Sequence, residues 1–231
     1  MPATTKRPPA MVLVRHAQST WSARGRFQGT SNPPLSADGL EQAAAVGRQL
    51  GEPEGRRSLG LPETAPLAVR HSPLERAKDT AQAITGWFDA ALAIADDHLS
   101  EIGQGAWEGL THAQVLARWA PQYEAWRHDP SRHVAPGGES LADAAVRAGQ
   151  ALERVIVTLN AASTANPWVI VVAHDGILRL ILLRALGIHL DRYWSFPFIQ
   201  CGITIVDRRD VFELRTHNAS GHLTALEPGV G

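Results

Sequence analysis

The sequence predicts an α/β protein built on a mostly parallel sheet, and three observations carry that expectation. Short apolar runs recur along the chain, "MVLV" (11–14), "LAV" (67–69) and "WVIVVA" (168–173), as in strands buried on both faces. Between them lie longer stretches with apolar residues every three or four positions, the period of an amphipathic helix. The two patterns alternate, which suits βαβ units. With 231 residues, 44% of them hydrophobic and 19% charged, the chain is sized for one domain spanning 1–231.

Each element has its own signal. After "MVLV" and a polar loop, Ser36 opens "SADGLEQAAAVGRQL", whose Leu40, Ala43, Ala44, Gly47 and Leu50 share one helical face. Residues 51–66, "GEPEGRRSLGLPETAP", read as an exposed loop because glycine, proline and charge dominate. After "LAV", Ser72 stands as N-cap, Pro73 as first helical residue and Glu75 as the capping-box acid, with Leu74, Ala77, Ala81 and Ile84 as the buried stripe. The Trp-rich stretch 103–135 has no strand character and reads as a small helical cap over one edge of the sheet.

Ser140 and Asp143 give a second capping signal, before a helix carrying Leu141, Ala145, Ala148, Leu152, Val155 and Leu159. "GILRLILLRAL" is apolar nearly all round, as expected of a helix packed on a sheet, and Gly187 suits its C-terminus. "GITIVD" and "VFELRTH" read as two closing strands, and 1–9 and 218–231 as loose tails.

Composition removes several functional classes. A formal charge of −1 gives no global field for nucleic acid or an anionic membrane, so anion binding has to come from local arginines. The single cysteine, Cys201, leaves no disulfide framework and no thiolate cluster, and fits a reducing cytoplasm. "MPATTKRPPAMVLV" has too few apolar residues for a signal segment, and "GILRLILLRALG" is short and carries two arginines, so neither a leader nor a membrane span is expected. No His-x-His or His-Glu-x-x-His spacing is present, and neither a metal nor a cofactor is expected.

In an open parallel sheet, ligands bind beyond the carboxyl ends of the strands. Three runs deliver polar groups there: Arg15-His16, Arg70-His71 with Arg76, and His174. Two further Arg-His pairs, 127–128 and 132–133, follow no apolar run. Arg76 falls in a first helical turn, where the macrodipole disfavours a cation by roughly 0.3–1 kcal/mol. Either a bound anion compensates, or the side chain is solvated and paired with Glu75 or Asp79. A single histidine beside a strand end is more often a hydrogen-bonded structural residue than a reacting one, and two at strand-to-loop junctions shift the balance toward function.

"VLVRHAQSTWSARGRFQG", "SPLERAKDTA", "LSEIGQGAWEGL", "PGGES" and "VIVVAHDGILR" occur in the order and approximate spacing of the histidine phosphatase superfamily, the phosphoglycerate mutase-like proteins, and the chain resembles that family from residue 11 to about 185. The resemblance implies a three-layer α/β/α sandwich. It implies His16 as nucleophile, Arg15 and Arg76 as phosphate ligands, His174 as the second histidine and Glu101 as the acid/base carboxyl. Glu101 is selected only by the block, since Asp96, Asp97 and Glu108 lie close by. Its raised pKa is expected from the Trp-rich flank around Trp107.

The chain departs from the family pattern in places. Ala17 replaces the usual glycine after the histidine, which is harmless where φ is negative. Ser22 stands where many relatives have a phosphate-binding asparagine, and a hydroxyl can still donate one hydrogen bond. Loop 51–66 is long, and His71 occupies a position that usually holds a small hydroxyl residue, reading as a pocket-wall or surface substitute.

The implied function is hydrolysis of a small phosphorylated metabolite through a phosphohistidine, releasing inorganic phosphate. The alternatives are a mutase that returns the phosphoryl group to its product, and an inactive phosphate-ligand binder. Only 111–135 separates "WEGL" from "PGGES", too short for the insertion that shields the intermediate in mutases. All of His16, Arg15 and His174 are present, against the binder. Trp119, Tyr123, Trp126, Arg127 and "RYWSFPFIQCG" are candidate specificity elements, and oligomeric state is not legible.

Overall fold

The computed structural model describes residues 7–89 and 92–226. Its centre is a six-stranded sheet made of β1 (Ala10–Arg15), β2 (Val69–His71), β3 (Ala93–Ala95), β4 (Trp168–Ala173), β5 (Ile203–Arg208) and β6 (Phe212–Ala219). The spatial order is β3-β2-β4-β1-β5-β6. The first four in that order are mutually parallel, whereas β5 pairs antiparallel with β1 and β6 antiparallel with β5. The helices are α1 (Ala37–Gly51), α2 (Pro53–Ser58), α3 (Glu75–Thr85), α4 (His112–His128), α5 (Leu141–Asn160) and α6 (Asp175–Leu186).

Alternate residues of the strands face opposite layers, as the pleat requires. Met11, Leu13, Val169 and Val171 pack with Ala148, Leu152 and Val155 of α5 and Ile177, Leu178 and Ile181 of α6. Val12, Val14, Ile170 and Val172 pack with Val46 and Leu50 of α1 and Ala77, Ala81 and Ile84 of α3. The result is a three-layer α/β/α sandwich, in which each fully buried Val, Leu or Ile contributes about 1.5–3 kcal/mol. Ser36 and Ser140 cap α1 and α5 by accepting from the N–H groups of Gly39 and Asp143, and Gly187 ends α6 at φ 66°, the left-handed conformation expected there. A separate small cluster of Phe27, Trp107, Val115, Trp119, Tyr123 and Trp126 holds the cap, where α4 is kinked at Trp119, two residues before Pro121.

Several local expectations are corrected. The buried stripe of α1 is Gly39, Ala43, Val46, Gly47 and Leu50; Leu40 is 59% exposed, because the helix is rotated to set Gly39 and Gly47 against the neighbouring backbone. Segment 51–66 is not an exposed loop. Pro53 starts α2, Leu61 is buried, and Arg56 is buried because its guanidinium donates to the carbonyls of Leu50 (3.0 Å), Gly51 and Glu63 (3.0 Å). β2 extends two residues past "LAV" and takes in Arg70 and His71, and β3 is a further strand, too short and too exposed to be read from its sequence.

The helix after β2 begins at Glu75, with Leu74 in the cap position and no side-chain cap, so Ser72 is not its N-cap. Of the expected tails, 1–6 and 227–231 lie outside the described residues. Pro9 accepts from Arg208 N–H (2.7 Å), while Asn218 and Ala219 complete β6, so the described parts of both ends are tied to the sheet. Among the described residues, no helix is long and apolar enough to cross a membrane.

Candidate active site

The parallel register decides which side chains meet. Arg15 pairs with Ala173 and His71 with Val172; His16 N–H donates to Ala173 O (2.8 Å) and Ser72 N–H to Val172 O (3.0 Å). His16, Ser72 and His174 therefore leave their strands at the same edge, the carboxyl edge where an open α/β sheet places its ligands. Because β5 runs antiparallel, its start lies at that edge too. This brings 190–202 against the site, with Cys201 N–H donating to Arg15 O (2.9 Å).

His16 is 3% exposed. Its Nδ1 lies 2.7 Å from Ala17 O, and a carbonyl only accepts, so Nδ1 carries the proton and Nε2 keeps its lone pair. Arg76 Nε approaches that lone pair at 3.3 Å. Burial first, then the Arg76 and Arg15 charges, push the His16 pKa well below 6.5, so the ring is neutral around pH 7. Ala17 is buried outside the left-handed φ region, and its N–H donates to Thr80 Oγ1 (3.1 Å). The methyl group that replaces glycine is accommodated.

Arg76 is fully buried, neither solvated nor paired with Glu75 or Asp79. Its unfavourable place in the first turn of α3 is offset by carbonyls: Nη1 donates to Ser31 O (2.8 Å) and Nη2 to Gly29 O (3.0 Å). That loop is in turn gripped by Glu108, whose carboxylate accepts from the N–H groups of Thr30 (3.0 Å) and Ser31 (2.8 Å). Burial lowers the Arg76 pKa to about 10, which leaves it charged. Arg15 Nη1 donates to Phe198 O (2.6 Å), while its Nε is buried without a partner.

His174 is fully buried and packs on His16, the ring centroids 4.9 Å apart. Its Nε2 is 2.8 Å from Ser72 Oγ. That hydroxyl also accepts from Leu74 N–H (3.2 Å), and with its own proton turned to His174 Nε2 the ring proton sits on Nδ1. Nδ1 has no partner.

Glu101 is the carboxyl that meets these groups. Asp96 is instead held by Arg70 (3.5 Å), Arg154 (3.0 Å) and His98 (2.9 Å) on another face. Glu108 is held below its usual pKa by its hydrogen bonds to Ser31, Gln104 and Thr30. Glu101 is raised, chiefly by burial and also by Asp175, against the pull of N–H donation from Ile102 and Gly176 and of the Arg76 charge. Trp107 does not line the cavity beside the carboxyl; it packs on Phe27, Tyr123 and Trp126 inside the cap. Gly176 packs directly against the carboxyl: a Cβ there would lie 2.6 Å from Glu101 Oε1 and 3.0 Å from Tyr193 Oη.

A cavity of about 270 Å³ opens beside His16; its lining includes the polar Arg15, Arg76, Glu101, Gln104, Gln28 and Arg26 and the aromatic Phe27, Trp126, Tyr193 and Trp194. Ser22 is on the wall but engaged, accepting from Ser19 N–H (2.8 Å) and Gln200 Nε2 (2.9 Å) while its proton goes to Ser19 O (3.1 Å). Gln28 accepts from Ser19 Oγ (2.6 Å) through its Oε1, which leaves its amide N–H groups for the pocket. Sequence reasoning passed over Gln28, although it lies in "RFQG". Of the aromatic candidates, Trp126 and two residues of "RYWSFPFIQCG" line the cavity, whereas Trp119 and Tyr123 form cap core. His71 is neither wall nor surface: it is 6% exposed, with Nδ1 2.8 Å from Ser72 O.

The family model described as histidine phosphatase superfamily (branch 1) matches residues 11–219, and the chain belongs to that superfamily. It is 30% identical over 204 residues to phosphoserine phosphatase 1 of Hydrogenobacter thermophilus, covering 87% of this chain and 89% of that one. It is 32% identical over 186 residues to glucosyl-3-phosphoglycerate phosphatase of Mycolicibacterium vanbaalenii, covering 79% and 76%. The solved structure of a mycobacterial glucosyl-3-phosphoglycerate phosphatase with VO3 superposes with a TM-score of 0.78 at 27% identity, covering 92% of this chain and 100% of that one. Within the superfamily, the chain is a phosphoric monoester hydrolase.

Proposed function

We propose that the protein hydrolyses a small phosphorylated metabolite through a phosphohistidine on His16. The observation that carries the reading is a pair of buried nitrogens without partners, Arg15 Nε and His174 Nδ1, beside a histidine whose unprotonated Nε2 accepts a long hydrogen bond from Arg76 Nε (3.3 Å). A buried donor left unpaired costs about 1–3 kcal/mol, and the oxygens of a phosphoryl group at Nε2 would satisfy both.

The two half-reactions balance on these residues. His16 Nε2 attacks phosphorus as the P–O bond to the alcohol breaks, and Glu101, protonated, gives its proton to the leaving oxygen. Arg15, Arg76 and His174 neutralise the phosphoryl oxygens. Water then attacks phosphorus as the P–N bond breaks; Glu101 takes a proton from it, and inorganic phosphate leaves. Gln28 joins the phosphate ligands, and Ser22 reaches the phosphate only by turning its proton away from Ser19 O. The lone buried cysteine, Cys201, suits a reducing cytoplasm.

The cavity limits the alcohol half to a small group, and the substrates in the relatives' names define the panel to try: phosphoserine and glucosyl-3-phosphoglycerate, with simple sugar phosphates. Phosphate release in chelator, lost in His16→Ala, with acid-labile phosphate on wild-type protein after quenching, is the expected result. No release across the panel would revive the binder. Primer-dependent conversion of 3- to 2-phosphoglycerate faster than phosphate release would make it a mutase.

A further inference from the structure

The backbone that carries Glu101 is clasped by an ion pair outside the pocket. Arg147, two turns into α5, uses all five of its N–H donors. Nη1 donates to His98 O (3.0 Å) and Ser100 O (2.7 Å), Nη2 to Glu101 O (3.2 Å) and Glu139 Oε2 (2.7 Å), and Nε to Glu139 Oε1 (2.7 Å). Glu139, from "PGGES", grips the other side. Its Oε2 accepts from Gly103 N–H (3.1 Å), and its own N–H donates to Gly103 O (2.9 Å). Residues 98, 100, 101 and 103 are thus fixed by one bidentate pair that is largely buried, at 19% and 24% side-chain exposure.

We propose that Glu139 and Arg147 are positioning residues for the acid/base step: the pair sets the backbone from which the Glu101 carboxyl reaches the leaving oxygen, and does so without adding net charge beside it. The inference rests on the assignment of Glu101 under the proposed function. A simple brace for the loop needs only hydrogen bonds. A brace beside a carboxyl that has to stay protonated must also be neutral, because an unmatched cation would favour the carboxylate. The charged and titratable groups around Glu101 are Arg15 and His16 at the end of β1, Arg76 from α3, His174 and Asp175 at the start of α6, Tyr193, Glu108 and this pair. Among them Arg147 is matched by Glu139 at 2.7 Å on both forks.

The test separates positioning from mere support by leaving group. An alkyl phosphate needs its leaving oxygen protonated, whereas p-nitrophenyl phosphate does not. First-turnover rates, which report His16 phosphorylation alone, are compared for both substrates in wild type, Arg147→Lys, Glu139→Gln and Glu101→Gln, with Tm as the folding control. Arg147→Lys and Glu139→Gln are expected to lose about 10- to 100-fold on the alkyl ester and far less on the nitrophenyl ester. In Glu139→Gln the alkaline limb of the alkyl-ester profile should also move to lower pH, since Arg147 is left unmatched.

An equal loss on both esters, or no loss on either, overturns the proposal. If Arg147→Lys does not fold, Glu139→Gln, which keeps the side-chain shape, carries the test. Should Glu101→Gln itself show no leaving-group dependence, the Glu101 assignment fails; if it does and the other two variants do not, only the positioning role fails.

Discussion

Gly176 offers a substitution whose effects on stability and activity point in opposite directions. It is the second residue of α6, where alanine is a better helix former by about 1 kcal/mol. The added methyl group would stand 2.6 Å from Glu101 Oε1, so the carboxyl must retreat by about 0.8 Å to restore van der Waals separation. It is the far end of a side chain and can move cheaply, although it would surrender the N–H groups of Gly176 and Ile177, both at 3.2 Å. A misplacement of about 1 Å at a reacting group costs on the order of 10²-fold in rate.

Gly176→Ala is therefore expected to fold with Tm within a few degrees of wild type. Its first turnover on an alkyl phosphate should be slower by about 30- to 100-fold, with a smaller loss on p-nitrophenyl phosphate. Stopped-flow measurement on both esters with calorimetry beside it is the assay. Wild-type rates on the alkyl ester would refute the reasoning, because the Glu101 carboxyl could not then be both displaced and catalytic.

The pH dependence has a definite sign. His16 must be neutral to attack and its pKa lies well below 6.5, while Glu101 must be protonated and is raised above 4.5; the first-turnover rate on an alkyl ester should be highest on the acid side of neutrality and fall as pH rises through the Glu101 pKa. Stability should run the other way: His16 and His174 both have depressed pKa values in the folded chain, so their contribution is complete above the unfolded value of about 6.5 and is lost as pH falls below it, which urea titrations at pH 7.5 and 5.5 would read. Ser72→Ala removes the group that sets the His174 tautomer and should slow phosphorylation of His16 by about tenfold or more. His71→Ser should keep turnover within a few-fold while costing about 1–3 kcal/mol of stability for a buried, hydrogen-bonded ring; loss of turnover comparable to His16→Ala would show the two Arg-His pairs to have been told apart wrongly.

Much of this was legible in the residue order, because the signals are local. The buried runs at 11–14 and 168–173, the caps at Ser36 and Ser140 and the stop at Gly187 depend on hydrophobic period and backbone chemistry within a few residues. Family blocks located His16, Arg15, Arg76, His174 and Glu101. Tertiary structure decided what depends on partners distant in sequence. Ser72 reads locally as a helix cap but is recruited by His174, 102 residues away. Arg56 reads as part of an exposed loop and Arg76, taken alone, as either anion-bound or solvated, yet both are buried, because carbonyls from other segments satisfy their donors. The family block alone set Glu101 apart from Asp96 and Glu108 in the sequence; that burial raises the Glu101 pKa while hydrogen bonds lower that of Glu108 came only with folding, since pKa is a property of the surroundings that folding assembles. The chain order thus set most of the strands and pointed to the proposed reacting groups, while strand register and packing fixed which of their atoms meet at the cavity.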